Sequence, residues 1–138
     1  MKTVLFACVH NAGRSQMAAA WFNLLADRTK ARAISGGTDP VRAYIRKSSV
    51  MSEEGVDLSN ASTARLTTEL AQQAQLLITM GCGDQRPVVP GLRRDDWPLE
   101  DPKDKPIGRV REIRDEIRQR VERLLHDEGW SSHSVASF

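Results

Sequence analysis

Runs of apolar residues alternate with amphipathic segments along the first part of the chain. Residues 3–8 and 76–80 are continuous apolar runs, which are typical of strands buried on both faces of a sheet. Residues 31–35 have the pattern of a further short strand. Between the first two strands, apolar residues at steps of three and four predict a helix over residues 15–28. This alternation favours an α/β fold, with a parallel sheet of about four strands and helices on both faces.

The rest of the chain supplies further elements for such a fold. A helix is predicted over residues 41–53, and a shorter helical segment follows near residues 67–73. The stretch 81–106 is rich in Gly, Pro and Asp and is predicted to be mostly loop, with a short fourth strand over residues 96–99. Apolar residues over 107–125 recur at steps of three and four, which predicts one long amphipathic helix with a charged outer face.

The composition is that of one globular domain. The chain has 138 residues, of which 40% are apolar and 28% are charged, enough for a hydrophobic core without disulfides or metal. We expect a single domain over residues 1–130 and a frayed tail over residues 131–138. A formal net charge of only +2 and an aromatic content of 5% argue against nucleic-acid binding.

The distribution of apolar residues and cysteines indicates a cytoplasmic protein. No stretch is long and apolar enough for a signal peptide or a membrane span. In a reducing compartment the two cysteines, Cys8 and Cys82, are expected to be free thiols. The cysteines and histidines lack the spacing of metal ligands, so neither a metal nor a tightly bound cofactor is expected.

Cys8 stands at the carboxyl end of the first predicted strand, where open parallel sheets bind ligands. Backbone N–H groups of the following loop would face inward at the start of a helix, whose dipole adds partial positive charge. Arg14 can hold two oxygens of a tetrahedral anion, Gly13 allows close backbone approach, and Ser15 can donate its hydroxyl to sulfur. These features favour the thiolate of Cys8 and attract an oxyanion to it. The predicted oxyanion-binding loop consists of Val9, His10, Asn11, Ala12, Gly13, Arg14 and Ser15.

The residues of this loop also allow plainer interpretations. Cys8 could be a small buried residue at a strand end, since free cysteine is among the most buried residue types. The Cys-x5-Arg-Ser spacing between a strand and a helix argues against that interpretation. His10 could act as a base, but a thiolate nucleophile needs none.

The segment from Cys8 to Ala18 resembles the active-site loop of arsenate reductases built on the low-molecular-weight tyrosine phosphatase fold. The similarity extends through most of the chain, up to the final helix. It implies a flavodoxin- or Rossmann-like sheet and conversion of arsenate to arsenite through a nucleophilic Cys8. The phosphatases share the loop itself, whereas the run from Asn11 to Ala18 and the later Cys82 are similar to the reductases.

A leaving oxygen needs a proton, and the late acidic loop offers several donors. The candidates are Asp95, Asp96, Glu100, Asp101 and Asp104. Chemistry alone does not choose among them, but the segment from Trp97 to Pro102 is similar to the family stretch whose Asp-Pro pair carries the acid. The resemblance therefore implies Asp101 as general acid, with Pro102 stiffening its loop. A solvated acidic loop is the alternative, and the rival pair Asp39-Pro40 suits helix capping better.

Cys82 follows the third predicted strand, so its loop opens on the same sheet edge as Cys8. In a reductase, a thiol attacks the Cys8–arsenate adduct, releases arsenite and leaves an oxidised sulfur pair. A structural role is the alternative for Cys82. Thioredoxin-coupled members carry a further cysteine before a proline in this segment, whereas here Arg86 precedes Pro87.

The identity of the reductant that completes the reaction is therefore left open by the sequence. The segment 80–84 resembles reductases coupled to a small thiol such as mycothiol. The resemblance implies an external thiol reductant, which is thioredoxin, or mycothiol with mycoredoxin, or another small thiol. Three alternatives remain: a Cys8–Cys82 disulfide that thioredoxin reduces, attack by a small thiol, or loss of reductase activity.

Three functions are compatible with these residues, and arsenate reduction leads. The alternative is a phosphatase for phosphotyrosine or small phosphomonoesters, because phosphate and arsenate have nearly the same shape and charge. Lys103 and Asp104 stand where family phosphatases carry aromatic residues that sandwich the substrate ring, which argues against this alternative. The third is a non-catalytic oxyanion-binding or redox-sensing protein. The expected partners are an arsenate or phosphate oxyanion and a thiol redox system. A reductase of this kind is also expected to keep some phosphatase activity.

Overall fold

Four parallel strands form one sheet in the computed structural model, which describes residues 1–8, 13–37, 51–56, 67–80, 90–100 and 105–132. The strands are β1 (Lys2–Cys8), β2 (Ala31–Gly37), β3 (Leu76–Thr79) and β4 (Arg93–Asp96). Their order across the sheet is β2-β1-β3-β4. The strand order reverses at β1, so the carboxyl ends of β1 and β3 form the switch point where open α/β sheets bind ligands. The predicted parallel sheet of about four strands is confirmed.

The helices described with both ends are α1 (Arg14–Leu25), α2 (Thr68–Gln72) and α3 (Ile107–Glu128). The hydroxyl of Thr67 accepts the N–H of Leu70 and caps the start of α2. Gly129 ends α3 in a left-handed conformation, with φ of 74°, and its N–H donates to the carbonyls of His126 and Leu125. Glycine adopts this conformation without the steric cost of a Cβ atom, which explains the sharp end of α3.

Each face of the sheet carries its own apolar cluster, because side chains alternate along the strands. The larger cluster packs α1 and α3 against one face and includes Phe6, Phe22 and Ile117. The smaller cluster packs Ala71 of α2 against the other face, where Leu77 lies. Helices therefore lie on both faces, as the sequence predicts.

The fourth strand differs from its prediction. It covers Arg93–Asp96, so the predicted strand over 96–99 is wrong except at Asp96. All four side chains of β4 are exposed and charged. The strand therefore lacks the apolar run by which a buried strand is predicted from sequence. Trp97 and Leu99, which suggested the strand, are instead buried in the larger core cluster.

Smaller differences concern the ends of elements. The first helix ends at Leu25, short of the predicted residue 28, and the second strand continues through Gly37 beyond the predicted residue 35. In the predicted helix over 41–53, residues 51 and 52 are helical and residues 41–50 lie outside the described part of the chain. The long helix predicted over 107–125 is confirmed.

The start of the predicted tail is attached to the end of α1. Ser131 forms an antiparallel bridge with Ala26, and the N–H of Ser132 donates to the carbonyl of Leu25 at 3.0 Å. These two residues are therefore part of the packed fold, in contrast to the expected fraying. Residues 133–138 lie outside the described residues, and the domain division at residue 130 stays a prediction.

Candidate active site

Cys8 is the last residue of β1 and is 2% exposed. β1 pairs with β2 on one side and with β3 on the other, so the main chain that presents Cys8 is held from both sides. The Sγ atom of Cys8 lies 2.9 Å from the Oγ atom of Ser15 in a buried contact. A hydroxyl at this distance can donate its hydrogen to the sulfur and thereby stabilise the thiolate, which is the nucleophilic form.

The N-terminus of α1 lies beside Cys8, because Ser15 is the second residue of this helix. Gly13 precedes the helix, and its carbonyl accepts the N–H of Met17 at 3.0 Å. The first turn has no side-chain cap and contains no acidic residue. The partial positive charge at the helix N-terminus is therefore not offset by a carboxylate from that turn, and it favours an anion beside Cys8.

Arg14, the first residue of α1, is 7% exposed. Its Nη1 atom donates to the carbonyl of Leu99 at 2.9 Å, across a sequence separation of 85 residues. A guanidinium is costly to bury unless hydrogen-bond acceptors or anions surround it. The planar group can hold the Leu99 carbonyl with one nitrogen and direct other N–H groups to an oxyanion.

The contact with Arg14 fixes the segment 97–100 at the same edge of the sheet as Cys8. The ring of Trp97 lies 5.5 Å from the ring of Phe6, measured between centroids, at an interplanar angle of 51°. The main-chain N–H of Trp97 donates to the carbonyl of Thr79 at 2.8 Å. Core packing, a main-chain bond and Arg14 thus determine where the chain enters the acidic loop.

Three of the five acid candidates have other partners in the structure. Oδ1 of Asp95 accepts the N–H of Asp96 at 2.8 Å, and Oδ1 of Asp96 accepts the hydroxyl of Thr79 at 2.7 Å. Oε1 of Glu100 lies 3.1 Å from Nη2 of Arg109 at the start of α3. These carboxylates therefore serve contacts within the fold. The other two candidates, Asp101 and Asp104, lie outside the described residues.

The charge state of Glu100 argues further against this residue as the acid. The hydrogen bond from Arg109 is the largest influence on it and lowers the pKa of Glu100, and the charges of Arg109 and Lys105 act in the same direction. A general acid is favoured by a raised pKa, and the shift at Glu100 goes in the opposite direction. The Oε2 atom lies 3.6 Å from Nζ of Lys105, so both oxygens face a cation.

The structure brings Cys8, Arg14 and Ser15 together at the junction of β1 and α1, with Gly13 at the start of the helix. Sequence reasoning missed the carbonyl of Leu99, because a main-chain acceptor leaves no signal in the pattern of side chains. Several predicted site residues lie outside the described part of the chain, and their roles stay predictions. These residues are Val9, His10, Asn11, Ala12, Cys82 and Asp101.

The described residues contain neither a metal site nor a membrane span. Among them, no group of three or more His, Cys, Asp or Glu side chains is placed to hold a metal ion. The helices in the described part of the chain are too short or too polar to cross a bilayer.

Sequence and fold together assign the chain to a protein family. Residues 3–133 match the family of low molecular weight phosphotyrosine protein phosphatases, and the chain belongs to this family. A solved thioredoxin-dependent arsenate reductase from Corynebacterium glutamicum is 38% identical, with a TM-score of 0.80. That match covers 92% of this chain and 61% of the Corynebacterium chain, so this protein spans less than two thirds of its length.

Two further relatives match over nearly their whole length. Arsenate reductase 2 of Staphylococcus haemolyticus is 31% identical over an alignment of 126 positions, and the match covers 88% of this chain and 94% of the relative. An arsenate reductase solved in a phosphate-binding state is 29% identical with a TM-score of 0.78, and the match covers 92% of this chain and 98% of that one.

Proposed function

We propose that the protein is an arsenate reductase in which Cys8 attacks arsenate at the N-terminus of α1. The observation that carries the proposal is the 2.9 Å contact between Cys8 and Ser15, on the helix whose first residue is the buried Arg14. This arrangement combines a stabilised nucleophile with a positively charged site for its oxyanion substrate. The relatives named arsenate reductase support the choice of arsenate over a phosphate ester.

In the first step, the Cys8 thiolate attacks arsenic(V). A sulfur–arsenic bond forms, an arsenic–oxygen bond breaks, and the departing oxygen leaves as water after it accepts protons. Arg14 and the N–H groups at the start of α1 hold the remaining oxygens and stabilise the negative charge on them. Removal of one donor of this kind typically costs about 2.7–4 kcal/mol of transition-state stabilisation.

Asp101 is the proposed donor of the proton to the departing oxygen. Its support is indirect and comes from the segment that leads to it. Leu99 is bound to Arg14, so the covalent chain limits Asp101 to within about 7 Å of Leu99, measured between Cα atoms. The contacts of Asp95, Asp96 and Glu100 described above remove three rivals.

In the second step, a thiol attacks the Sγ atom of Cys8. A disulfide forms, the sulfur–arsenic bond breaks, and its electron pair stays on arsenic, which leaves as arsenite. Either Cys82 or an external thiol is the attacking group. A thioredoxin-type protein or a small thiol such as mycothiol then supplies two electrons and restores the Cys8 thiol. The name of the Corynebacterium relative supports the thioredoxin type.

The test is arsenite production by the purified protein, with a thioredoxin system and a mycothiol system supplied in separate reactions. We expect arsenite with at least one system and none from Cys8→Ser. Asp101→Asn should lower kcat by roughly 100-fold or more, as general acids contribute in other enzymes. Loss of arsenite in Cys82→Ser identifies Cys82 as the attacking thiol, and unchanged activity assigns that role to the external thiol.

One outcome would replace the proposal by the phosphatase function. If neither thiol system yields arsenite while a phosphomonoester is hydrolysed through Cys8, the protein is a phosphatase. Folded Cys8→Ser protein is the control in both assays, because the substitution keeps the size of the side chain and removes the nucleophilic sulfur.

A further inference from the structure

A buried hydroxyl joins the ends of β3 and β4. Thr79 and Asp96 are register partners in the parallel pair, and each is the last residue of its strand. Thr79 is 2% exposed, and its hydroxyl donates to Oδ1 of Asp96 at 2.7 Å. The same hydroxyl lies 3.4 Å from the carbonyl of Asp95, which is a weaker contact. The side chain of Asp96 is exposed, so this hydrogen bond restrains a carboxylate at the surface.

This hydrogen bond acts on the face of the sheet opposite to Cys8. Leu77 belongs to the smaller apolar cluster, and alternation along β3 places Thr79 on the same face. Phe6 and Cys8 belong to the larger cluster on the other face, where Trp97 packs. The chain at the end of β4 is therefore held on one face by Trp97 and on the other by the Thr79–Asp96 bond.

Both residues precede groups with proposed chemical roles. Thr79 stands three positions before Cys82, and Asp96 stands five positions before Asp101. Between Asp96 and Asp101, Leu99 contacts Arg14. A change in the direction of the chain at Asp96 would therefore shift the segment that leads to the acid, whereas Arg14 keeps its place as the first residue of α1.

We propose that Thr79 is a positioning residue that, through its hydrogen bond to Asp96, holds residues 97–100, which lead to Asp101, against the nucleophile's edge of the sheet. The inference rests on the proposed function for the role of Asp101. Thr79 itself touches no reacting atom. Its effect should therefore fall on kcat, while the KM for arsenate depends on Arg14 and α1.

The test combines amide hydrogen exchange with kinetics for Thr79→Val and Asp96→Ala. Each variant removes one side of the bond, so exchange should become faster in peptides covering residues 97–104 and stay unchanged in α1. We expect kcat for arsenate to fall about three- to tenfold, the range for one hydrogen bond, with KM within about twofold. Thr79→Ser and Asp96→Asn keep the donor and an acceptor, and both should behave as the wild type.

Thr67→Val is the matched control, because it removes another threonine hydroxyl that makes a hydrogen bond, at the start of α2. This variant should lose stability without a change in kcat or in exchange over 97–104. Wild-type exchange over 97–104 in Thr79→Val would overturn the inference, as would faster exchange with unchanged kcat. If the wild type makes no arsenite, the proposed function fails, whereas the exchange experiment still decides whether Thr79 holds the segment.

Discussion

The two sides of the candidate site are held in place by different means. On the nucleophile side, Cys8 and Ser15 are 2% and 0% exposed, and β1 has a strand neighbour on each side. On the acid side, the chain emerges from β4, an edge strand whose four side chains are all exposed. Its position depends on individual contacts, of which the Arg14–Leu99 bond connects the two sides.

This difference determines how each side should respond to substitution. A buried nucleophile in a strand with two neighbours keeps its position when a single contact is lost, so the effects there should report chemistry. The acid side is bound by a few polar contacts, so the loss of one contact should shift the segment and reduce the rate moderately. Apart from substitution of the proposed acid itself, large effects should therefore cluster at the β1–α1 junction and small ones near β4 and α3.

Arg14→Lys should give the largest effect among substitutions that leave the nucleophile and the acid in place. Lysine keeps the positive charge but lacks the planar fork, so it cannot hold the Leu99 carbonyl and two ligand oxygens together. We expect kcat/KM for arsenate to fall about 100-fold or more, measured as arsenite production. Arg118→Lys is the control, because the Arg118 guanidinium lies in α3, 4.7 Å from the centroid of the Trp21 ring of α1. Equal losses in both variants would contradict a specific role of Arg14.

Ser15→Ala should have an intermediate effect, because it removes the hydroxyl that lies 2.9 Å from Cys8 Sγ. A hydrogen bond to a charged group contributes ~1.5–3 kcal/mol, so we expect kcat to fall roughly 10- to 100-fold. The rate of alkylation by iodoacetamide at neutral pH should fall as well, since the thiolate is the reactive form.

The alkylation experiment is cleanest in a Cys82→Ser background, where Cys8 is the one remaining cysteine of the sequence. Thermal unfolding of the same proteins separates a loss of reactivity from a loss of fold. Alkylation of Ser15→Ala at the wild-type rate would show that the hydroxyl does not stabilise the thiolate, and the 2.9 Å contact would then be structural.

The nucleophile side could be predicted from the sequence because its signals are local. The apolar run before Cys8 predicts a buried strand, and the residues that surround the sulfur follow within seven positions. Spacing along the chain therefore translates directly into proximity in space. The structure agrees with the predicted strand and helix and places Ser15 against Cys8, while the catalytic roles of Cys8, Arg14 and Ser15 stay predictions.

The acid side could be predicted only in part, for physical reasons. β4 is charged and exposed, so its sequence lacks the apolar run that marks a buried strand. The Arg14–Leu99 contact spans 85 residues and uses a main-chain oxygen. Likewise, the bond between Thr79 and Asp96 depends on the register of two strands, which a single sequence does not reveal. Long-range polar contacts of this kind require the folded structure.

The smallest effect is expected at the ion pair between Glu100 and Arg109, which attaches the end of the acid segment to the start of α3. Both side chains are more than a third exposed, so solvent screens their attraction. Glu100→Gln should lower kcat about twofold, because the segment next to Asp101 loses one attachment but keeps the contact of Leu99 with Arg14. Arsenite production measures this change.

Glu53→Gln is a control away from the acid segment, since the Glu53 side chain has the same 38% exposure and pairs with two α3 arginines, Arg111 and Arg114. It should leave kcat unchanged. The pH dependence gives a second check, because Arg109 lowers the pKa of Glu100 in the folded state. The pair therefore stabilises the fold above the unfolded pKa of about 4.5, and this contribution disappears as the pH falls through the lowered folded value. The difference in Tm between wild type and Glu100→Gln should accordingly shrink below that pH, and a constant difference would mean that Glu100 acts through its shape and not through its charge.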